Sequence, residues 1–265
     1  MAFWYFGYGS NMNLTALRAK GVTALESCRA ELPGWRLRFN VEHFFLHEGG
    51  VGNIEPSDRP GDRVCGVLHR CDDASLAPLD ATEACGHGYH RIEVTVHTAD
   101  GPCSALSYVG DAGFVNNDCL PTQRYLNIVL RGAEGAGLDP AYVAALRAQP
   151  VLPPAEVPPF LPPPGAWPVF DPDALAGPGP LTALAGHVFD MAPARPRHDY
   201  LKGFFGGKDM TFFHLQRMDS SDGHEDPAEV AALRFTPAQR RYLDAYLNAY
   251  ASEYRYVGAL RGPRV

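Results

Sequence analysis

Two short stretches of this 265-residue chain combine residue types that could do chemistry. The first is Tyr5-Phe6-Gly7-Tyr8-Gly9-Ser10-Asn11-Met12, where an apolar run breaks into glycines and small polar residues. A strand that ends in Gly-Tyr-Gly and leads toward a helix leaves backbone N–H groups unshielded near a positive helix end, which suits an anion such as a carboxylate. The glycines would let a ligand approach the backbone, and Ser10 and Asn11 would add side-chain hydrogen bonds. An ordinary turn has the same composition, so the stretch alone leaves both readings open. No Gly-Lys-Ser/Thr follows, so it is not a phosphate loop; GxSxG is unmatched, which argues against Ser10 as a nucleophile. The second stretch is Leu79-Asp80-Ala81-Thr82-Glu83-Ala84-Cys85-Gly86-His87-Gly88-Tyr89. Glu83 falls between a short helical turn and a glycine-flanked loop, from which a carboxylate can be aimed into a cavity mouth. Against apolar walls its pKa would rise, and it could act as base and then acid. A solvated loop glutamate is the plain alternative.

The elements that must position these residues are short. Phe3 to Tyr8, Trp35 to Val41, Arg63 to His69, Arg91 to His97 and Ser104 to Val109 read as strands, with Asp100-Gly101 as a hairpin turn between the last two. Helices are expected over Leu14 to Lys20 behind an Asn13 cap and closed by Gly21, near Ala74 to Glu83, and over Thr122 to Glu134. From Pro150 to Pro180 the chain holds half of its 24 prolines. Such a segment forms neither helix nor central strand and should run extended; Phe160, Trp167 and Phe170 within it suggest a strap docked on the first domain. Beyond it, Leu181 to Phe189 and Thr211 to Leu215 read as strands. Thr236-Pro237-Ala238-Gln239 is a capping-box helix start, and Leu243, Tyr246, Leu247, Tyr250 and Tyr254 repeat as a packing face. The expected domains are therefore 1–149, a Pro-rich linker or strap at 150–180, and an extension at 181–265 ending in an amphipathic helix.

Composition narrows the classes. The net charge of -7 argues against a nucleic-acid surface and leaves a small molecule as the expected partner. No segment reaches the length of a membrane span, and MAFWYFGYGS lacks the basic start of an export signal, so a cytoplasmic location is expected. Six cysteines without a CxxC pair read as reduced thiols and not as a zinc site. His43-Phe44-Phe45-Leu46-His47-Glu48 places two histidines and a glutamate near the site; read as a strand, they suit substrate contact or packing better than a metal.

Several blocks in fixed order resemble the γ-glutamylcyclotransferase family in the broad sense that includes γ-glutamylamine cyclotransferases and AIG2-like proteins. They are FGYGSNM at 6–12, LPGWRLRFN at 32–40, GNIEP at 52–56, GDRVCGVLHRC at 61–71, LDATEACGHGYHRIEV at 79–94, SALSYV at 104–109 and PTQRYLNIVLRGAEGAGL at 121–138. The resemblance implies an α+β fold, a small mixed β-barrel flanked by helices, to which residues beyond 150 add a C-terminal α/β appendage. It implies Glu83 as catalytic residue, Tyr8, Gly9, Ser10 and Asn11 as the loop that holds the α-carboxylate and α-amino end of a γ-glutamyl group, and Tyr125 at the pocket border. Neither metal nor organic cofactor is expected. The implied reaction cyclises a γ-glutamyl amide to 5-oxoproline with release of an amine or amino acid. The rival is a γ-glutamyl-binding or scaffolding protein that kept the barrel without turnover, and the direction of the Glu83 carboxylate separates the two. The extension is expected to shape the leaving-group side or to form the interface of a homodimer.

Overall fold

The apolar run at the start of the chain forms strand β1 (Ala2–Gly7), followed by α1 (Leu14–Arg18), β2 (Ala24–Pro33), β3 (Trp35–Glu42), β4 (Gly50–Pro56), β5 (Arg63–Asp72), α2 (Leu76–Thr82), β6 (Tyr89–Thr98), β7 (Gly101–Gly110), α3 (Gln123–Gly135) and α4 (Pro140–Arg147). The structure is a computed structural model that describes residues 2–262, and the chain divides after Pro154 into two compact units.

In the first unit five strands close into a barrel in the order β1-β5-β2-β6-β7, while β3 and β4 form a separate two-stranded ribbon. β5 lies between β1 and β2 and is antiparallel to both, which explains its nearly continuous burial. The barrel is a small mixed one, because β1 and β7 run parallel where it closes, at Tyr5 and Leu106. The opposite junction, β2 to β6, pairs only Glu31 with His97. Phe6, Tyr8, Leu32, Val64, Leu68 and Val96 fill the interior. The α3 helix packs Leu126, Val129, Leu130 and Ala133 on the outside, against Met12, Cys65 and Val67. The α3 start is set by Thr122, whose side chain accepts the Tyr125 N–H.

Some boundaries differ from the sequence reading. β2 was not expected, because most of its residues are exposed and charged or small; only Ala30 and Leu32 turn inward. The hairpin loop is Ala99-Asp100, and Gly101 already pairs with Thr98. His43 to Glu48 is no strand: it follows β3 and ends in a single 3₁₀ turn over Leu46–Glu48. All six cysteines are free thiols.

The second unit contains a four-stranded sheet of β8 (Val169–Phe170), β9 (Leu181–Leu184), β10 (His187–Asp190) and β11 (Arg255–Leu260), ordered β8-β11-β10-β9. β9 and β10 are joined at Ala185 and Gly186, both with positive φ, as a tight two-residue hairpin requires. The helices are α5 (Asp199–Phe205), α6 (Thr211–Leu215), α7 (Pro227–Ala231) and α8 (Pro237–Glu253). The expected capping box of α8 forms in both directions, and its face of Leu243, Tyr246, Leu247 and Tyr250 is buried. Thr211 to Leu215 is a helix where a strand was expected: Thr211, His214 and Leu215 are the buried positions, a spacing of three and four that only a helix turns to one side. The rings of the Pro-rich segment find partners within this unit, Phe160 on His187 and Phe189, and Trp167 on Tyr256. Among the described residues no helix is long and apolar enough to cross a membrane.

One helix position ties the fold to the loop it must support. A Cβ at Gly132 in α3 would stand 2.6 Å from the Asn13 nitrogen and 2.7 Å from the Met12 carbonyl carbon, whereas one at Gly135 would meet nothing. Gly135→Ala should raise stability by about 0.5–1 kcal/mol, as helix propensity dictates. Gly132→Ala should lower it by about 1–3 kcal/mol because backbone cannot give way like a side chain. Urea unfolding of both variants measures the two signs.

Candidate active site

The stretch after β1 turns immediately. Met12 N–H bonds the Gly9 carbonyl and Asn13 N–H bonds the Ser10 carbonyl, making a 3₁₀ turn over Ser10–Met12. The helix end that the sequence suggested as an anion site is already occupied, since the Asn13 side chain accepts from Thr15 and Ala16 N–H. What the turn does instead is bury Asn11, only 5% exposed, and aim its amide inward.

Glu83 arrives from the segment that follows β5. It is the C-cap of α2, with its N–H on the Leu79 carbonyl, and the chain then reverses through Ala84, a non-glycine residue at φ 49°. That reversal returns the chain toward β6 and leaves the carboxylate inside, with its side chain 13% exposed. Asn11 Nδ2 donates to Glu83 Oε1 at 3.0 Å and to the Tyr5 hydroxyl at 2.5 Å. Lys20 Nζ donates to the same Oε1 and to Asn11 Oδ1, both at 2.7 Å.

One cavity of about 30 Å³ is lined by Tyr8, Gly9, Ser10, Asn11, Glu83 and Tyr125, together with Tyr5, Gly52, Tyr89 and Tyr108. Every site residue singled out in the sequence therefore meets here, and the Glu83 carboxylate faces the 8–11 turn. Larger hollows of about 620, 480 and 450 Å³ lie elsewhere on this unit, and none is lined by Glu83. The Tyr125 hydroxyl sits where backbone comes unusually close: a Cβ on Gly9 would be 2.9 Å from it and one on Gly52 3.1 Å. Gly52 N–H donates to that hydroxyl at 3.0 Å, and the Ser10 backbone and hydroxyl also bond it. The Tyr89 hydroxyl donates to the Gly52 carbonyl at 2.6 Å, and Tyr8 donates to the Tyr108 carbonyl at 2.6 Å.

Burial is the main cause that raises the phenol pKa values of Tyr5, Tyr8, Tyr89 and Tyr125, and the nearby Glu83 charge raises them further. The phenols of the walls are thus neutral at ordinary pH, with the Glu83 carboxylate among them. His69, wholly buried behind the turn, donates from Nε2 to the Asn11 carbonyl at 3.0 Å, while its Nδ1 accepts from Ser27 at 2.8 Å. Burial lowers its pKa to about 4.

The residues that sequence reasoning missed are Tyr5, Lys20, Gly52, His69, Tyr89 and Tyr108. Gly52 and Tyr89 stand inside recognised blocks, but nothing in their types singled them out. Lys20 has only the look of a helix-end lysine before Gly21. His43 and His47 lie outside this cavity lining. His43 Nδ1 accepts the Phe45 N–H at 3.1 Å, and the buried Glu48 carboxylate pairs with Arg124.

The profile of the AIG2-like family matches residues 63–146. A mouse protein named gamma-glutamylcyclotransferase is 31% identical over 152 residues, which cover 55% of this chain and 78% of that one; its human counterpart is 31% identical over 153 residues, again 78% of its length. The chain belongs to the gamma-glutamylcyclotransferase family. A solved structure titled gamma-glutamyl cyclotransferase agrees in fold, with a TM-score of 0.52 at 27% identity, covering 92% of that chain and 59% of this one. Family membership accounts for the closed barrel and its helices; the share of this chain that is matched is close to that of the first unit.

His69 gives this site a pH signature. Its ordinary pKa of 6.5 drops to about 4 in the fold, so below pH 6.5 the unfolded chain takes up a proton that the folded one refuses. Stability should be full above pH 6.5 and decline as pH falls to about 4, by at most about 3 kcal/mol. Denaturant unfolding across this range should show the decline in the parent and a flatter curve in His69→Gln.

Proposed function

We propose that this protein is a γ-glutamyl cyclotransferase, releasing 5-oxoproline from a γ-glutamyl amide with Glu83 as the proton carrier. The observation that supports this most is that Glu83 and the Tyr8–Asn11 turn, more than seventy residues apart in sequence, line a single cavity. A Glu83 carboxylate turned to solvent would have favoured the rival binding or scaffolding reading; here it is 13% exposed and met by Asn11 and Lys20 as donors.

The substrate carries its own nucleophile, since closing its α-amine onto the γ-carbonyl makes a five-membered ring, and the main task of the enzyme is to hold it folded. Glu83 takes a proton from the α-ammonium, and the freed amine forms its bond to the γ-carbonyl carbon. Glu83 then returns the proton to the departing nitrogen as the old C–N bond breaks. The second proton, shed by the ring nitrogen as it becomes an amide, ends on the released amine. Charge developing on the carbonyl oxygen needs donors. The Tyr125 hydroxyl suits that role: Gly52 and Ser10 N–H groups both bond its oxygen, which polarises its O–H toward a ligand.

The test is release of 5-oxoproline from a panel of γ-glutamyl dipeptides, glutathione and γ-glutamyl amines. Glu83→Gln should lose at least about 100-fold in kcat while still binding the best substrate, as measured by calorimetry. Silence of the parent protein across the panel would overturn the activity, and a Glu83→Gln variant turning over at the parental rate would overturn the role of the carboxylate.

A further inference from the structure

Glu83 stands at an unfavourable place for a negative charge. It closes α2, at the negative end of the helix dipole, and five phenols of four other segments face it: Tyr5 and Tyr8 of β1 and its turn, Tyr89 of β6, Tyr108 of β7 and Tyr125 of α3. Tyr108 in turn donates to Asp80 at 2.6 Å, a second carboxylate, whose own cationic partner is Arg91 at 3.4 Å. The phenols can donate hydrogen bonds but bring no positive charge. Lys20 does, at 2.7 Å, with its side chain 7% exposed.

Lys20 does not line the cavity. It follows α1, in a turn where Lys20 N–H bonds the Leu17 carbonyl, Gly21 N–H bonds the Arg18 carbonyl and Gly21 takes φ 76°. From there its ammonium reaches Glu83 and Asn11 from behind. Both Lys20 and Asn11 donate to Oε1.

We propose that Lys20 is a positioning residue of this site: from outside the cavity it keeps Glu83 a carboxylate and locks Asn11 against it. The inference rests on the reading of Glu83 as proton carrier. Because Lys20 is not among the residues that line the cavity, its removal should act on kcat and on pH dependence and hardly on KM. It also explains why the carboxylate can be this enclosed and still start the cycle charged.

The test compares the parent with Lys20→Met, Lys20→Gln and Lys20→Arg. In the first two kcat should fall 10- to 100-fold with KM within threefold of the parent, and the acid limb of the kcat/KM profile should move to higher pH. Lys20→Arg should return the limb to its parental position. Lys20→Gln keeps a donor without charge, so it serves if Lys20→Met does not accumulate as folded protein. Carbon-13 NMR titration of the Glu83 carboxyl gives a readout independent of turnover, and its midpoint should rise in Lys20→Gln. An unmoved midpoint and acid limb would overturn the role of Lys20 while leaving the activity standing. A parent protein that releases no 5-oxoproline, with the midpoint still moved by Lys20→Gln, would overturn the activity and leave the Lys20 contact intact.

Discussion

A carboxylate enclosed by rings and backbone is unstable unless donors meet it, and here a single amide organises them. Asn11 gives one N–H bond to Glu83 and another to Tyr5, takes the Lys20 ammonium on its Oδ1, and has its backbone carbonyl held by His69. Each contact comes from a different segment: α2, β1, the turn after α1, and β5. The turn after β1 therefore does more than bring backbone near a ligand. It inserts the one side chain that can donate to a carboxylate and accept from an ammonium at once. Remove that amide and the two charges lose their common partner, while Tyr5 loses its donor.

Tight approach of backbone is the companion constraint. The Tyr125 hydroxyl fits between Gly9 and Gly52 only because neither carries a Cβ, and α3 comes down on Met12 and Asn13 only because Gly132 lacks one. Helix, turn and ribbon are thus brought to contact distance around one phenol oxygen. Thr122 fixes this from a distance, by capping the first turn of α3 in which Tyr125 stands.

Much of this was legible in the sequence, for identifiable reasons. Strands with a consistent apolar face, such as β5 and β6, announce themselves, and so do caps written in Asn13 and Thr236. β2 did not, because a strand whose outer face is exposed and whose inner face holds only Ala30 and Leu32 has no periodic signal; its nine paired positions with β5 hold it. Thr211 to Leu215 misled through its paired phenylalanines, whose strand preference yields to the burial of Thr211, His214 and Leu215. In the site, Glu83 and the 8–11 turn could be singled out by residue type and resemblance. Lys20 and His69 could not, since a lysine before a glycine and a histidine in a strand are common, and only the fold shows what stands opposite them.

The barrel is joined at two narrow places, Tyr5 with Leu106 and Glu31 with His97, so it is mechanically a three-stranded sheet and a hairpin set edge to edge. The turn that carries Asn11 continues β1 of the sheet, whereas the loop that carries Glu83 leads into β6 of the hairpin. Glu83 itself stands between the two pieces, since α2 follows β5 of the sheet and leads on to β6 of the hairpin. Lys20 and Asn11 tie it to the sheet side, so a widening of either seam would be felt at the carboxylate.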